Sequence, residues 1–224
     1  MKENRFDAVL VHGYWLSQGK DKLGRDRPVI PSLRARLGVR AAVLMYQEGL
    51  VKNIVLAGGH IWGGDYPSSA ELMAKDAVGR YHVPAESVFI GGDAISTDEE
   101  VKIFLDLAKK NNWSNLLDIA SSTHFWTIPG LYEKRCTEIT FLSFQQVINE
   151  RDNPKMRRLV DRLDHSKYEV VYKLYQAAIR AVLILDPDYR LLGRWTTHYR
   201  RGKTHSTPWP ISLFFPAIDK YSLK

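Results

Sequence analysis

Five short apolar runs, each followed by a helical pattern, constrain this chain more than any other feature. They lie at residues 6–11, 53–57, 87–90, 116–120 and 138–142. All are continuous rather than alternating, as expected of strands covered on both faces of a parallel sheet. Pro31-Ser32 opens a long helix through Glu48, and Gly49 stands where a left-handed cap is expected. Ser68-Ser-Ala-Glu71 and Thr97-Asp-Glu-Glu100 match the capping-box pattern and open two more helices. Ser122 or Thr123 caps a fourth, which Pro129-Gly130 shortens or kinks. Strand and helix alternate at a spacing that demands right-handed crossovers. The expectation is an α/β fold: a Rossmann-like three-layer sandwich with a mainly parallel sheet of about five strands.

The later chain reads differently. Residues 155–163 form a basic amphipathic stretch. In residues 168–185, Val171, Leu174, Tyr175, Ala178, Val182 and Leu185 share one helical face that should pack on the core. Residues 1–186 are therefore taken as one α/β domain that includes these helices. Residues 187–224 are taken as an extended tail, because Pro208, Pro210 and Pro216 break regular structure there. Its aromatic anchors, Trp195, Trp209, Phe214 and Phe215, would dock on this domain or on a second subunit, so a homo-oligomer built through the tail is one expectation.

Composition narrows the class. At 45% hydrophobic and 25% charged residues the 224-residue chain can bury a core of its own. Cys136 is the single cysteine, so no internal disulfide forms. No signal-peptide pattern opens the chain, and the run 177–185, broken by Arg180, falls short of the roughly 20 residues of a membrane span. These features predict a cytoplasmic protein. Basic and acidic residues nearly balance through Glu150, 17 against 18; from Arg151 they stand at 15 against 7, so the last third carries all the excess behind the net +7. Solvated helix faces and a basic tail account for that excess, and no nucleic-acid module interleaves aromatic and basic residues before the tail, so a nucleic-acid partner is not expected.

Open parallel sheets bind ligands outside the carboxyl ends of their strands, where helix amino termini aim unsatisfied N–H groups. Gly13, Gly58, Gly59, Asp93, Thr97, Ser121 and Ser122 fall at those ends, with His12, His60 and His124 beside them. His124 follows a strand and a Ser-Ser-Thr run; near a helix amino terminus its imidazole would stay neutral and suit acid–base or hydrogen-bonding work. Glu71 has two available jobs, closing a capping box or holding a ligand's hydroxyl or amine.

Taken in order, Tyr46-Gln-Glu-Gly49, Ala57-Gly58-Gly59, Ser69-Ala70-Glu71, Val83-Pro84, Ser96-Thr97-Asp98-Glu99 and Ser121-Ser122-Thr123-His124 resemble the YdcF/SanA/ElyC family over roughly residues 6–133. That resemblance implies a Rossmann-like domain, with S-adenosylmethionine or a nucleotide as its cofactor. It also implies a ligand site lined by Gly58, Gly59, Glu71, Thr97, Ser121, Ser122 and His124. Two positions depart from the family pattern. Thr127 stands where arginine usually follows the histidine, and Glu100 stands where the acidic motif usually ends in asparagine. Either another cation (Arg36, Arg40, Lys134 or Arg135) replaces the missing arginine, or the ligand is less anionic.

Three functions follow as expectations. The first is a small-molecule enzyme with a nucleotide-like or adenosyl ligand, using His124 as acid–base group and Glu71 to orient the ligand. The second is a metal-assisted hydrolase drawing on His12, His60, Asp65, Asp93 and His124. The third is a non-catalytic binding or scaffold protein whose basic tail meets an acidic partner. The chain has no Gly-x-x-x-x-Gly-Lys, no Gly-x-Gly-x-x-Gly after the first strand and no Gly-x-Ser-x-Gly. Those absences argue against P-loop, dinucleotide-oxidoreductase and serine-hydrolase readings.

Overall fold

A computed structural model describes residues 6–14, 16–17, 29–61, 65–133, 135 and 138–185. The tail at 187–224 lies outside the described residues. The strands of the main sheet are β1 (Phe6–Val11), β4 (Val51–Leu56), β5 (Val88–Ile90), β6 (Leu116–Ala120) and β7 (Ile139–Ser143). All neighbours pair parallel, in the order β5-β4-β1-β6-β7. A two-residue antiparallel pair, β2 (Leu16–Ser17) with β3 (Ile30–Pro31), interrupts the passage from β1 to the first helix. The architecture is the expected α/β sandwich with an all-parallel sheet.

Strand period explains the two hydrophobic layers. Val9, Val11, Ile54, Leu56, Leu117 and Ile119 face one side, with residues of α1 (Leu33–Gln47), α2 (Ser69–Ala74), α5 (Phe144–Arg151) and α6 (Pro154–Asp164). Ala8, Leu10, Val55, Leu116 and Ala120 face the other, against α3 (Thr97–Asn111) and α4 (Ile128–Tyr132). Each fully buried large aliphatic side chain contributes about 1.5–3 kcal/mol. Burial on both faces is why the central strands β1, β4 and β6 carry continuous apolar runs, while the edge strands β5 and β7 are only part-buried.

The expected caps hold in part. Ser32 accepts from Ala35 N–H, Gly49 has φ +70°, and Ser68 with Glu71 closes a reciprocal capping box. At α3 the register differs by one residue. Ser96, not Thr97, is the N-cap and accepts from Glu99 N–H. Thr97 and Glu100 are thereby freed from capping. The expected fourth helix also begins differently: His124–Trp126 is a single 3₁₀ turn without a side-chain cap, and Pro129 sits at the start of α4.

The largest correction concerns α7 (Lys167–Leu185). Leu174 was expected to face the core; it is 67% exposed, and Val170 is 58% exposed. The face turned inward carries Glu169, Tyr172 and Gln176. Polar partners decide this rotation: Glu169 meets Arg34 and Thr123, and Gln176 meets Thr127. A buried Arg34 or Thr127 without such partners would cost more than the exposed Leu174. The side chains of Val182 and Leu185 lie outside the described residues. Among the described residues, no helix is long and apolar enough to cross a membrane.

Candidate functional site

The strand order reverses between β1 and β6, and the loops leaving those two strands bound a cleft. Its lining includes Gly13, Tyr14, Gly58, Ser69, Ser96, Thr97, Glu100, Thr127 and His124, with Leu131 of α4 and Tyr172, Tyr175, Gln176 and Ile179 of α7. The open space is about 930 Å³, counting solvent at the mouth.

Glycine permits the close approach that shapes the floor. A Cβ on Gly13 would lie 2.5 Å from the Ala57 carbonyl oxygen and 2.6 Å from Gly58 Cα, so the two loops meet backbone to backbone.

Under this floor lies a buried charge cluster. His12 Nδ1 donates to Glu100 Oε2 at 2.7 Å, and Nε2 donates to both oxygens of Asp118 at 3.0 Å. Tyr132 donates to Asp118 Oδ2 at 2.8 Å, and Gly13 N–H to Glu100 Oε1 at 2.9 Å. Strand period aims Asp118 at α3 and α4, which bring Glu100 and Tyr132 to it. Burial opposes the charge on His12, but Asp118, then Glu100, outweigh it and raise its pKa to about 10. His12 is an imidazolium at neutral pH. Burial pushes Glu100 upward, resisted by its bond to His12.

His124 stands beside this cluster, its ring edge to face with His12 at 5.3 Å between centroids. Its Nδ1 lies 3.3 Å from the Tyr14 hydroxyl and its Nε2 lies 3.3 Å from Thr97 Oγ1. The Tyr14 oxygen already accepts from Ser121 N–H at 3.0 Å, so its own proton is available to Nδ1. The network then assigns the proton of neutral His124 to Nε2, facing Thr97. Burial, then the positive charges of His12 and Arg34, hold the His124 pKa well below its usual value. The imidazole is neutral as expected, but from burial and neighbouring cations rather than from a helix dipole. Burial likewise pushes the Tyr14 phenol upward.

The other sequence candidates divide. Thr97, Gly13 and Gly58 join His124 in the lining. Ser121 is buried beneath it, its hydroxyl accepting from His124 N–H at 3.3 Å. Gly59 packs against the next loop, where a Cβ would fall 2.1 Å from Asp93 Oδ1. Ser122 turns to Gln145 of α5, accepting from its Nε2 at 3.2 Å. Asp93 accepts from His60 N–H at 2.8 Å and is exposed. Glu71 is outside the lining; its Oε2 accepts from Ser68 N–H at 2.7 Å, and that bond, then the Ser68 hydroxyl, lowers its pKa. His60 Nε2 lies 3.8 Å from the same oxygen.

Tyr14, Asp118, Arg34, Tyr172 and Gln176 are the participants that sequence reasoning missed. Asp118 carried a legible signal: a lone acid inside the apolar run Leu-Leu-Asp-Ile-Ala requires a buried partner. Of the cations named as substitutes for an arginine at Thr127, Arg40 pairs with Asp152 at 2.7 and 2.9 Å and Arg135 with Asp98 at 2.7 Å. Arg36 is not in the cleft lining, and Lys134 lies outside the described residues. The guanidinium whose charge reaches His124 is that of Arg34. It donates to Glu169 at 2.5 Å and lies 4.1 Å over the Tyr172 ring. Its Nε is buried without a hydrogen-bond partner. For the metal reading, no three or more His, Cys, Asp or Glu among the described residues are grouped to hold an ion.

Comparison with known proteins returns no matching family model, no matching curated protein and no matching solved structure.

Proposed function

We propose that this protein is a YdcF-like small-molecule enzyme that binds an adenosyl or nucleotide-like compound in the cleft between β1 and β6. The observation that carries the reading is His124, a neutral imidazole in the cleft wall, held between two hydroxyls at the point where the strand order reverses. Tyr175, Ile179 and Leu131 offer an apolar wall to a base, and Ser69, Ser96 and Thr97 offer hydroxyls to a sugar. His124 offers its Nε2–H as hydrogen-bond donor to the reacting group, Nδ1 being held by the Tyr14 hydroxyl; its depressed pKa suits the neutral imidazole to polarise an oxygen rather than to carry charge.

A thermal-denaturation screen of nucleosides, nucleotides and S-adenosyl compounds tests this. A ligand at 100 times its Kd adds about 2.7 kcal/mol to stability. A complete panel without stabilisation contradicts the reading.

A further inference from the structure

We infer that the cleft excludes phosphate and takes a nucleoside or adenosyl ligand rather than a nucleotide; the inference rests on the ligand class proposed above. In parallel α/β sheets, loop N–H groups and helix amino termini at the strand ends are the usual seat of a phosphate. Here four N–H groups after strands or at a helix start are committed to the protein's own carboxylates, and two of them, on Gly13 and Ile95, belong to the cleft lining. Gly13 N–H, directly after β1, donates to Glu100 Oε1 at 2.9 Å. His60 N–H, after β4, donates to Asp93 Oδ1 at 2.8 Å. Ser68 N–H, at the start of α2, donates to Glu71 Oε2 at 2.7 Å. Ile95 N–H, after β5, donates to Glu99 Oε2 at 2.8 Å.

Charge acts in the same direction. The first turn of α3 carries Asp98, Glu99 and Glu100, so its dipole is met by carboxylates before any ligand arrives. Of these, Glu100 itself lines the cleft, within the same wall as Ser96 and Thr97. Arg34, whose guanidinium charge reaches His124, is paired with Glu169 and stacked on Tyr172. A phosphate entering here would have to displace a carboxylate from its N–H and then sit beside it. The groups left to recognise a ligand are hydroxyls, an imidazole and aromatic rings, which fit a ribose and a base.

The experiment is calorimetric titration of the full chain with adenosine, 5′-AMP and ADP, repeated on Glu100→Gln and on Glu99→Gln, whose carboxylate holds the Ile95 N–H of the lining. Like-charge contact at an effective dielectric near 20 predicts that AMP binds at least about tenfold more weakly than adenosine. ADP should bind more weakly still. Both variants should narrow the gap, Glu100→Gln more than Glu99→Gln; should Glu100→Gln fail to fold, Glu99→Gln carries the test. AMP or ADP binding as tightly as adenosine, or a gap unchanged in the folded variants, overturns the inference while leaving the ligand class standing. Absence of binding by all three overturns both.

Discussion

His12 and His124 meet edge to face with ring centroids 5.3 Å apart, yet they hold different charge states at neutral pH. The buried carboxylates of Asp118 and Glu100 keep His12 protonated to about pH 10. Burial and the resulting imidazolium keep His124 neutral well below the usual range. The relationship is causal: the charged ring stabilises the uncharged state of the other.

This pairing predicts a stability optimum flanked on both sides. The folded pKa of His12 lies above its unfolded value near 6.5, so its contribution is full below that pH and is lost as pH rises toward 10. The folded pKa of His124 lies below 6.5, so the unfolded chain binds the extra proton and stability falls on acidification below that value. Each flank has a limiting slope of about 1.4 kcal/mol per pH unit. Urea midpoints measured from pH 5 to 10 should show both flanks. In His124→Gln the acid flank should flatten while the alkaline one stays.

His124→Ala should leave ligand binding within a few fold of the original protein and reduce turnover by about 100- to 1,000-fold, the usual weight of one donor to a developing charge. Equal turnover in the folded variant, once a substrate is in hand, would contradict the assignment.

Glu71 and Ser68 separate capping from catalysis. Ser68→Ala should cost about 1 kcal/mol, as loss of an N-cap does. Glu71→Gln keeps an acceptor for Ser68 N–H and should change stability little and ligand affinity by less than twofold. A large loss of affinity in Glu71→Gln would place its carboxylate on the ligand.

Helix α7 is held over the cleft by polar contacts. Glu169 accepts from Arg34 and Thr123, and only 1% of its side chain is exposed. Removing it by Glu169→Ala strands a largely buried guanidinium and should cost about 3–5 kcal/mol, the cost of breaking a buried pair. Amide exchange in residues 167–181 should accelerate more than in α1. Uniform exchange across both helices would show that the pair is not specific to α7.

The fold was legible wherever a local rule has one solution. Doubly covered strands, Gly49 at its left-handed cap and the Ser68–Glu71 box all stand as their residues imply. At α3 the run Ser96-Thr-Asp-Glu-Glu100 offers two capping registers, and pattern alone does not choose between them. The observed register frees Glu100 to meet His12, a partner 88 positions away. The same limit explains α7: its inward face follows from Arg34, Thr123 and Thr127, none of them near it in the chain. The place of the cleft at the strand ends, with His124 in its lining, follows from the strand pattern. Tyr14 and Asp118 acquire their roles only when β1 and β6 lie side by side.

The most direct measurement of the central claim is an NMR titration of the histidine side chains with adenosine. The account predicts that the His124 Nε2 resonance shifts with saturable dependence on ligand, from a neutral imidazole in the free protein, while exposed His165 stays put. Binding that leaves His124 unmoved, or a His124 that is protonated in the free protein at pH 7, would contradict it.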